Sequence, residues 1–211
     1  MLVNKKVLFI DFDGTLVDVS RRHYTVYKKI TESLNVKPIS KLRYWNRRRN
    51  GESFFDVMEA EYKIGDKQRL RRNYFSLIEK RTYLELDSLF KNVTKTLKRL
   101  RECYHIVLVS LRVSRHNLMW QIKKLNIADN FDEVLAAHVH KHKLITMSKF
   151  FKAKDKWLIG DTEMDIEAGK KCGCFTVGVY SGLRGRSYLN NFSPDYLIKD
   201  ITMFQAGVGT W

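Results

Sequence analysis

Proline occurs only twice in the 211 residues, at Pro38 and Pro194, which leaves no room for a proline-rich linker. Cysteine occurs three times, at Cys103, Cys172 and Cys174. An odd number without metal-type spacing excludes a disulfide framework or a zinc ribbon, and a reduced, cytoplasmic setting is expected. Cys172-Gly-Cys174 is not a CxxC pair and reads as small packing residues after a helix. No apolar stretch approaches the ~20 residues that span a bilayer. No charged-then-apolar leader precedes the first apolar run, so no membrane role is expected. Acidic residues are scarce beside basic ones: 23 Asp plus Glu against 39 Lys plus Arg, a formal charge of +16. That balance suits phosphates, nucleic acid or acidic surfaces as partners, with simple solubility as the bland alternative. Internal repeats and low-complexity segments are also missing. What remains is a globular composition, 44% hydrophobic and 12% aromatic. The length suffices for one domain with a large insertion, or for two small domains.

The most informative residues stand near the start. Val7-Leu8-Phe9-Ile10 reads as a buried strand, and Asp11, Asp13, Gly14 and Thr15 follow it directly. Two carboxylates at i and i+2 repel each other, so one is driven towards its protonated form unless a cation intervenes. Such a pair points to metal binding or to proton and nucleophile chemistry. Gly14 permits the sharp turn that follows.

Beyond this strand, residues 19–86 show helical periods and no convincing strand. Tyr24-Val26-Tyr27-Ile30-Leu34, Phe54-Phe55-Val57-Met58 and Tyr74-Phe75-Leu77-Ile78 recur near i, i+3 and i+4. The remainder alternates. A helix is expected over 89–101, with Leu97 and Leu100 inward, and a strand at 106–109 ending at Ser110. A helix follows over 115–125, then a strand over 131–136 and a helix over 144–151. A strand at 157–159 ends at Gly160-Asp161; then come a helix over 166–171, a strand over 175–179 and an edge strand at 196–198. Alternation of this kind predicts an α/β, Rossmann-like parallel sheet with helices on both faces. Ligands bind outside the carboxyl ends of such strands. Three strands end in polar residues there, at Asp11, Ser110 and Asp161. The helices inserted after the first strand stand over that edge as a cap, giving a core of 1–18 and 87–211 and a cap of 19–86.

Asp11-Phe-Asp13-Gly-Thr15-Leu, Val107-Leu-Val-Ser110 and Gly160-Asp161-Thr-Glu-Met-Asp165 resemble, in order and spacing, three of the four motifs of the haloacid dehalogenase superfamily. The resemblance runs from about Val7 to Gly182. Ser110-Leu-Arg112, Gln121-Ile-Lys-Lys-Leu125 and Phe175-Thr-Val-Gly-Val179-Tyr-Ser-Gly182 are similar to its phosphoglycolate-phosphatase-like branch. The resemblance implies Asp11 as the nucleophile that forms an aspartyl phosphate. Asp13 becomes the general acid and then the base, and Ser110 the partner of a phosphoryl oxygen. Asp11, Asp161 and the backbone carbonyl of Asp13 are hard oxygen donors suited to Mg²⁺. Asp165, one turn beyond Asp161, either ligates or orients a ligand. A carboxylic acid at Asp13 argues against dehalogenation, since a halide needs no proton. The family's lysine falls on Lys141 or Lys143, and Lys141 fits better because Leu144 and Ile145 follow about one turn later. His138, His140 and His142 alternate, and nothing nearby completes a metal site with them.

Within 19–86, Lys and Arg far outnumber Asp and Glu, and Arg47-Arg48-Arg49 is the densest run, preceded by Tyr44 and Trp45. In one reading bases stack on these aromatics while the arginines bind a nucleic-acid backbone. In the bland reading the aromatics belong to the cap core and the arginines to a solvated face. In a middle reading one arginine reaches a distal anionic group of a small phosphorylated substrate; Arg47, Arg112 and Thr15 are the expected substrate contacts. Asp18 and Gly182 shape the entrance. The favoured activity is Mg²⁺-dependent hydrolysis of a small phosphomonoester, with nucleic-acid end processing and phosphomutase chemistry as the alternatives.

Overall fold

The computed structural model describes residues 6–63 and 65–205. Strand β1 (Lys6–Ile10) lies inside the sheet, with Leu8, Phe9 and Ile10 fully buried. Burial on both faces is what a continuous apolar run demands. On leaving β1 the chain forms a two-residue strand, β2 (Val17–Asp18), and then five helices: α1 (Ser20–Ser33), α2 (Lys41–Arg49), α3 (Phe54–Tyr62), α4 (Lys67–Ile78) and α5 (Arg81–Leu84). It returns through β3 (Ser88–Leu89), which pairs antiparallel with β2. The outgoing and returning strands thus lie side by side. The rest alternates: α6 (Val93–Leu100), β4 (Tyr104–Ser110), α7 (Arg115–Lys124), β5 (Glu133–Ala136), α8 (Lys141–Thr146), β6 (Lys156–Gly160), α9 (Glu163–Lys171), β7 (Phe175–Val179), α10 (Arg186–Asn190) and β8 (Tyr196–Ile198).

The six longer strands form one parallel sheet in the order β5-β4-β1-β6-β7-β8. Leu8 and Ile10 face one layer, with Leu97, Leu100, Leu118 and Ile122 from the helices. Val7 and Phe9 face the other, with Leu144, Ile145, Ala168, Cys172 and Cys174. The two faces follow from the period of two along a strand. The inserted helices hold a core of their own, in which Tyr27 stacks on Tyr44 and Phe54 on Tyr74, with ring centroids 4.4 and 4.3 Å apart. No helix among the described residues is long and apolar enough to cross a membrane.

Several boundaries differ from the sequence expectation; α9 begins at Glu163, three residues before the expected 166, and β4 at Tyr104, two before 106. The helix expected from 89 begins at Val93, because Leu89 pairs with Val17 and Asn92 adopts a left-handed conformation. The strand expected from 131 begins at Glu133, after a short 3-10 turn. The helix expected over 144–151 is α8, which starts at Lys141 and stops at Thr146. Just beyond it the Ser148 hydroxyl donates to Glu133 and accepts from the Phe150 amide, which turns the chain away.

Candidate active site

Strand order locates the site. From β1 the chain runs to β4 and β5 on one side, then crosses back to β6 on the other. The carboxyl ends of β1 and β6 flank this switch point, the place where open α/β sheets bind ligands. Ile10 pairs with both Leu108 and Ile159, so Asp11 and Asp161 emerge side by side. The Asp11 amide donates to the Ile159 carbonyl at 2.9 Å, extending the ladder by one residue. Gly14, at φ +84°, then turns the chain across Asp161. A Cβ there would stand 2.0 Å from Asp161 Oδ2, and one on Gly182 would stand 2.1 Å from the same atom. Side chains at these two positions are therefore excluded by the carboxylate between them.

Asp11, Asp161 and Asp165 bring carboxylate oxygens within 4.8 Å of one another, all three buried. Among the described residues, Lys141 is the cation in close contact with them. Its Nζ donates to Asp11 Oδ1 at 2.6 Å and also to Asp165. Burial raises the Asp11 carboxyl to about 7; Lys141 opposes this and Asp165 adds to it. Burial, then Asp11 and Asp165, hold Asp161 well above the ordinary carboxylate range. Lys141 is raised, because the attraction of Asp11 and Asp165 outweighs the cost of its burial. Three carboxylates against one ammonium leave a deficit of positive charge that a divalent cation fits, and every donor is hard oxygen. Asp165 is the most occupied of the three. Its Oδ2 accepts from the Thr162 amide and hydroxyl at 3.0 and 2.6 Å, capping α9, while Oδ1 faces Lys141.

Asp13 meets the opposite surroundings. Arg112 grips it at both oxygens, Nε to Oδ2 at 2.7 Å and Nη2 to Oδ1 at 2.6 Å, and Arg22 adds a second guanidinium. Burial alone would raise its carboxyl, but Arg112 and Arg22 outweigh it and hold Asp13 well below the ordinary range. Arg22 also donates to Asp87 at 3.1 Å, Gln121 donates to Asp87 at 2.9 Å, and Arg112 donates to Gln121 at 2.5 Å. The result is a closed, buried polar ring from Asp13 through Arg112, Gln121, Asp87 and Arg22.

The cleft above these groups has a volume of about 330 Å³ and brings Asp11, Asp13, Ser110, Arg112, Lys141 and Asp161 together with residues of the insertion. That is the size of a small-molecule site. Lys141, not Lys143, reaches Asp11; Lys143 is exposed. Thr15 does not contact the cleft. It is fully buried, and its hydroxyl faces Asp11 Oδ2 at 3.3 Å and Asp161 Oδ1 at 3.5 Å, beneath the carboxylates and not at the expected substrate-facing position. Arg47 is also displaced from its expected place. It is paired with Glu52 and Glu61, away from the cleft. Arg48 lines the cleft in its stead. A helix advances about 100° per residue, so neighbours in a run face different ways. Tyr44 lies four residues before Arg48 on the buried face, whereas Arg43 lies four before Arg47 and shares Glu61 with it. Because Tyr44 is fully buried on Tyr27, it offers no face for a base. His140 and His142 stack on each other and His138 packs edge-on to Phe75; none joins an acidic cluster among the described residues.

Sequence reasoning missed Arg22, His23, Arg48 as distinct from Arg47, and Asp87. Arg22 had a signal: residues 22, 26 and 30 fall at i, i+4 and i+8, so a charge stands on the apolar stripe of α1 with Val26 and Ile30. Asp87, alone in a return linker, carried none.

The sequence matches the model of the haloacid dehalogenase-like hydrolase family over residues 7–179. It is 26% identical over 196 residues to the β-phosphoglucomutase of Bacillus subtilis strain 168, covering 84% of each chain. A haloacid dehalogenase-like hydrolase from Streptococcus pneumoniae superposes with a TM-score of 0.78 at 21% identity, covering 93% of this chain and 95% of that one. A protein from Haemophilus somnus described as a predicted phosphoglycolate phosphatase gives 0.74 at 19% identity, with 96% and 97% covered. The matched span includes the buried carboxylates, Lys141 and the whole helical insertion, and the chain is an enzyme of the haloacid dehalogenase-like hydrolase family.

Proposed function

We propose that the protein hydrolyses a small phosphomonoester with Mg²⁺, through an aspartyl phosphate on Asp11. The observation that carries this reading is Lys141 bound between Asp11 and Asp165, with Asp161 within metal-ligating reach. Asp11 Oδ forms the bond to phosphorus as the bond to the leaving oxygen breaks. Lys141 and Ser110, both facing the cleft, hold phosphoryl oxygens; Asp165 keeps Lys141 in place. Asp11, Asp161 and the Asp13 carbonyl would hold Mg²⁺, which when bound offsets the negative charge that Asp11 and the phosphate share. The Asp13 side chain serves the leaving oxygen as acid and the hydrolytic water as base. Two arginines now hold it ionised, the form the base step needs. The division into a core of 1–18 and 87–211 and a cap of 19–86 fits the separate helical core and the antiparallel β2–β3 pair; residues 1–5, 64 and 206–211 lie outside the described residues.

A screen of small phosphomonoesters tests the reading by measuring released phosphate. Release with Mg²⁺ that stops in EDTA is expected; no release from any compound would end it. Phosphomutase chemistry is the second reading, favoured by the similarity to β-phosphoglucomutase. It predicts phosphoryl transfer from a bisphosphate without net release. A nucleic-acid role is not favoured: Tyr44 is buried, Trp45 is partly buried against the core and edge-on to His23, and Arg47 is paired with Glu52 and Glu61.

A further inference from the structure

The cleft holds three arginines, and their charges are not treated alike. Arg22 is paired with Asp13 and Asp87, and Arg112 with Asp13. Arg48 is 6% exposed, and among the described residues its Nε has no hydrogen-bond partner and its guanidinium forms no ion pair. Asp56 feels its charge through space, but the Asp56 carboxylate accepts from the Ser53 amide. Burying an unpaired guanidinium is costly, and folds retain such a charge where an anion completes it. Beside it on the same wall stands His23, also 6% exposed, with Nδ1 unpartnered. Two orphaned polar groups from the insertion therefore face the carboxylates of the sheet across one small cleft. Arg48 is fixed from behind: Arg184 donates to its carbonyl at 2.9 Å and is itself paired with Glu163 on α9.

We propose that Arg48 and His23 form a subsite for the leaving group, which carries a second anion, carboxylate or phosphate, and a polar neighbour such as a hydroxyl. The guanidinium fork takes the anion and the imidazole takes the hydroxyl. This deepens the phosphohydrolase reading and rests on it: the substrate class is a phosphomonoester with a distal anion, not a plain alkyl phosphate.

The test uses two matched pairs of probes. The carboxylate arm is 3-phosphoglycerate against glycerol 3-phosphate. The phosphate arm is propane-1,3-diyl bisphosphate against 3-hydroxypropyl phosphate. The wild-type enzyme should favour the anionic member of at least one pair by about 30-fold or more in kcat/KM, the scale of a buried charge-assisted contact. In Arg48→Met that ratio should fall to within about threefold of one, mostly through KM. The melting temperature of Arg48→Met should equal or exceed the wild-type value, because a buried unpaired charge is gone; an arginine held for structure would show a loss. Should Arg48→Met not fold, Arg48→Lys decides: a reduced but surviving ratio supports the subsite, and an unchanged one overturns it. Turnover without preference, or a preference that survives Arg48→Met, overturns the subsite alone. No turnover of all four probes overturns the phosphohydrolase reading beneath it.

Discussion

Magnesium should stabilise the protein far more at pH 8 than at pH 5. In the metal-free site burial lifts the Asp11 carboxyl from 3.8 to about 7, with Asp161 also raised, so the cluster keeps a proton that the unfolded chain releases. The folded state therefore binds more protons than the unfolded state between these values, and stability falls as pH rises through them. A cation that needs the ionised cluster must displace that proton at pH 5 but not at pH 8. A group titrating at about 7 weakens apparent metal affinity roughly 100-fold at pH 5, or about 2.7 kcal/mol at saturating metal. For a chain of this size that is roughly 5–11 °C in melting temperature. Thermal melts at both pH values, in EDTA and in excess Mg²⁺, measure it as the difference between two increments. Taking increments removes other titrations: neutral, buried His23 makes stability rise with pH, and Asp87, raised by burial to about 6, makes it fall. Asp161→Asn should shrink the increment at both pH values. Equal increments at pH 5 and 8, or none at either, would refute the account of the cluster as a proton-blocked cation site.

Asp11→Asn should lower phosphate release at least about 1,000-fold while the protein stays folded, since an amide cannot serve as the nucleophile; steady-state assays and circular dichroism check this. Asp13→Asn should slow alkyl phosphates about 10²- to 10⁴-fold, and p-nitrophenyl phosphate much less, because only the former need a proton on the leaving oxygen. Equal losses on both would assign Asp13 to holding Arg22 and Arg112. Arg47→Ala should change kcat/KM by less than about twofold, as partly exposed ion pairs contribute little. Arg49→Ala removes two bonds to the Tyr180 and Gly182 carbonyls at 2.9 Å and should raise KM; kinetics of the two variants side by side separate them.

Much of the architecture is legible because it rests on periodicity. Leu8 and Ile10 against Val7 and Phe9 require two covered faces, and the polar ends at Asp11, Ser110 and Asp161 require a common edge. The order β4-β1-β6 is what makes those ends neighbours, and no single segment states it. Contacts between distant segments are the least legible. Arg22, Asp87, Arg112 and Gln121 come from four separate elements, and only the fold closes them into a ring. The choice of Arg48 over Arg47 turns on a single step around α2, decided by Tyr44 on one side and Glu52 and Glu61 on the other. The place of Thr15 is hidden from the sequence for a similar reason: the turn at Gly14 sends its hydroxyl beneath the carboxylates, not out to the cleft.

The two aspartates of the opening motif share a turn yet meet contrary fields. Asp11 faces Asp161 and Asp165, so burial and like charge favour its proton; Asp13 faces Arg22 and Arg112, which remove it. The difference is not in the residues, which are identical, but in the side of the turn on which each emerges. One side is the acidic seam between β1 and β6, and the other is the junction with the helical insertion. Pairs of carboxyls whose surroundings separate them in this way mark acid–base and nucleophile assignments. Arg22 and Arg112 at the junction are committed to Asp13 and Asp87, whereas Lys141 reaches the seam. A phosphate entering the cleft therefore meets one ammonium at the seam and one uncommitted guanidinium, Arg48, on the opposite wall.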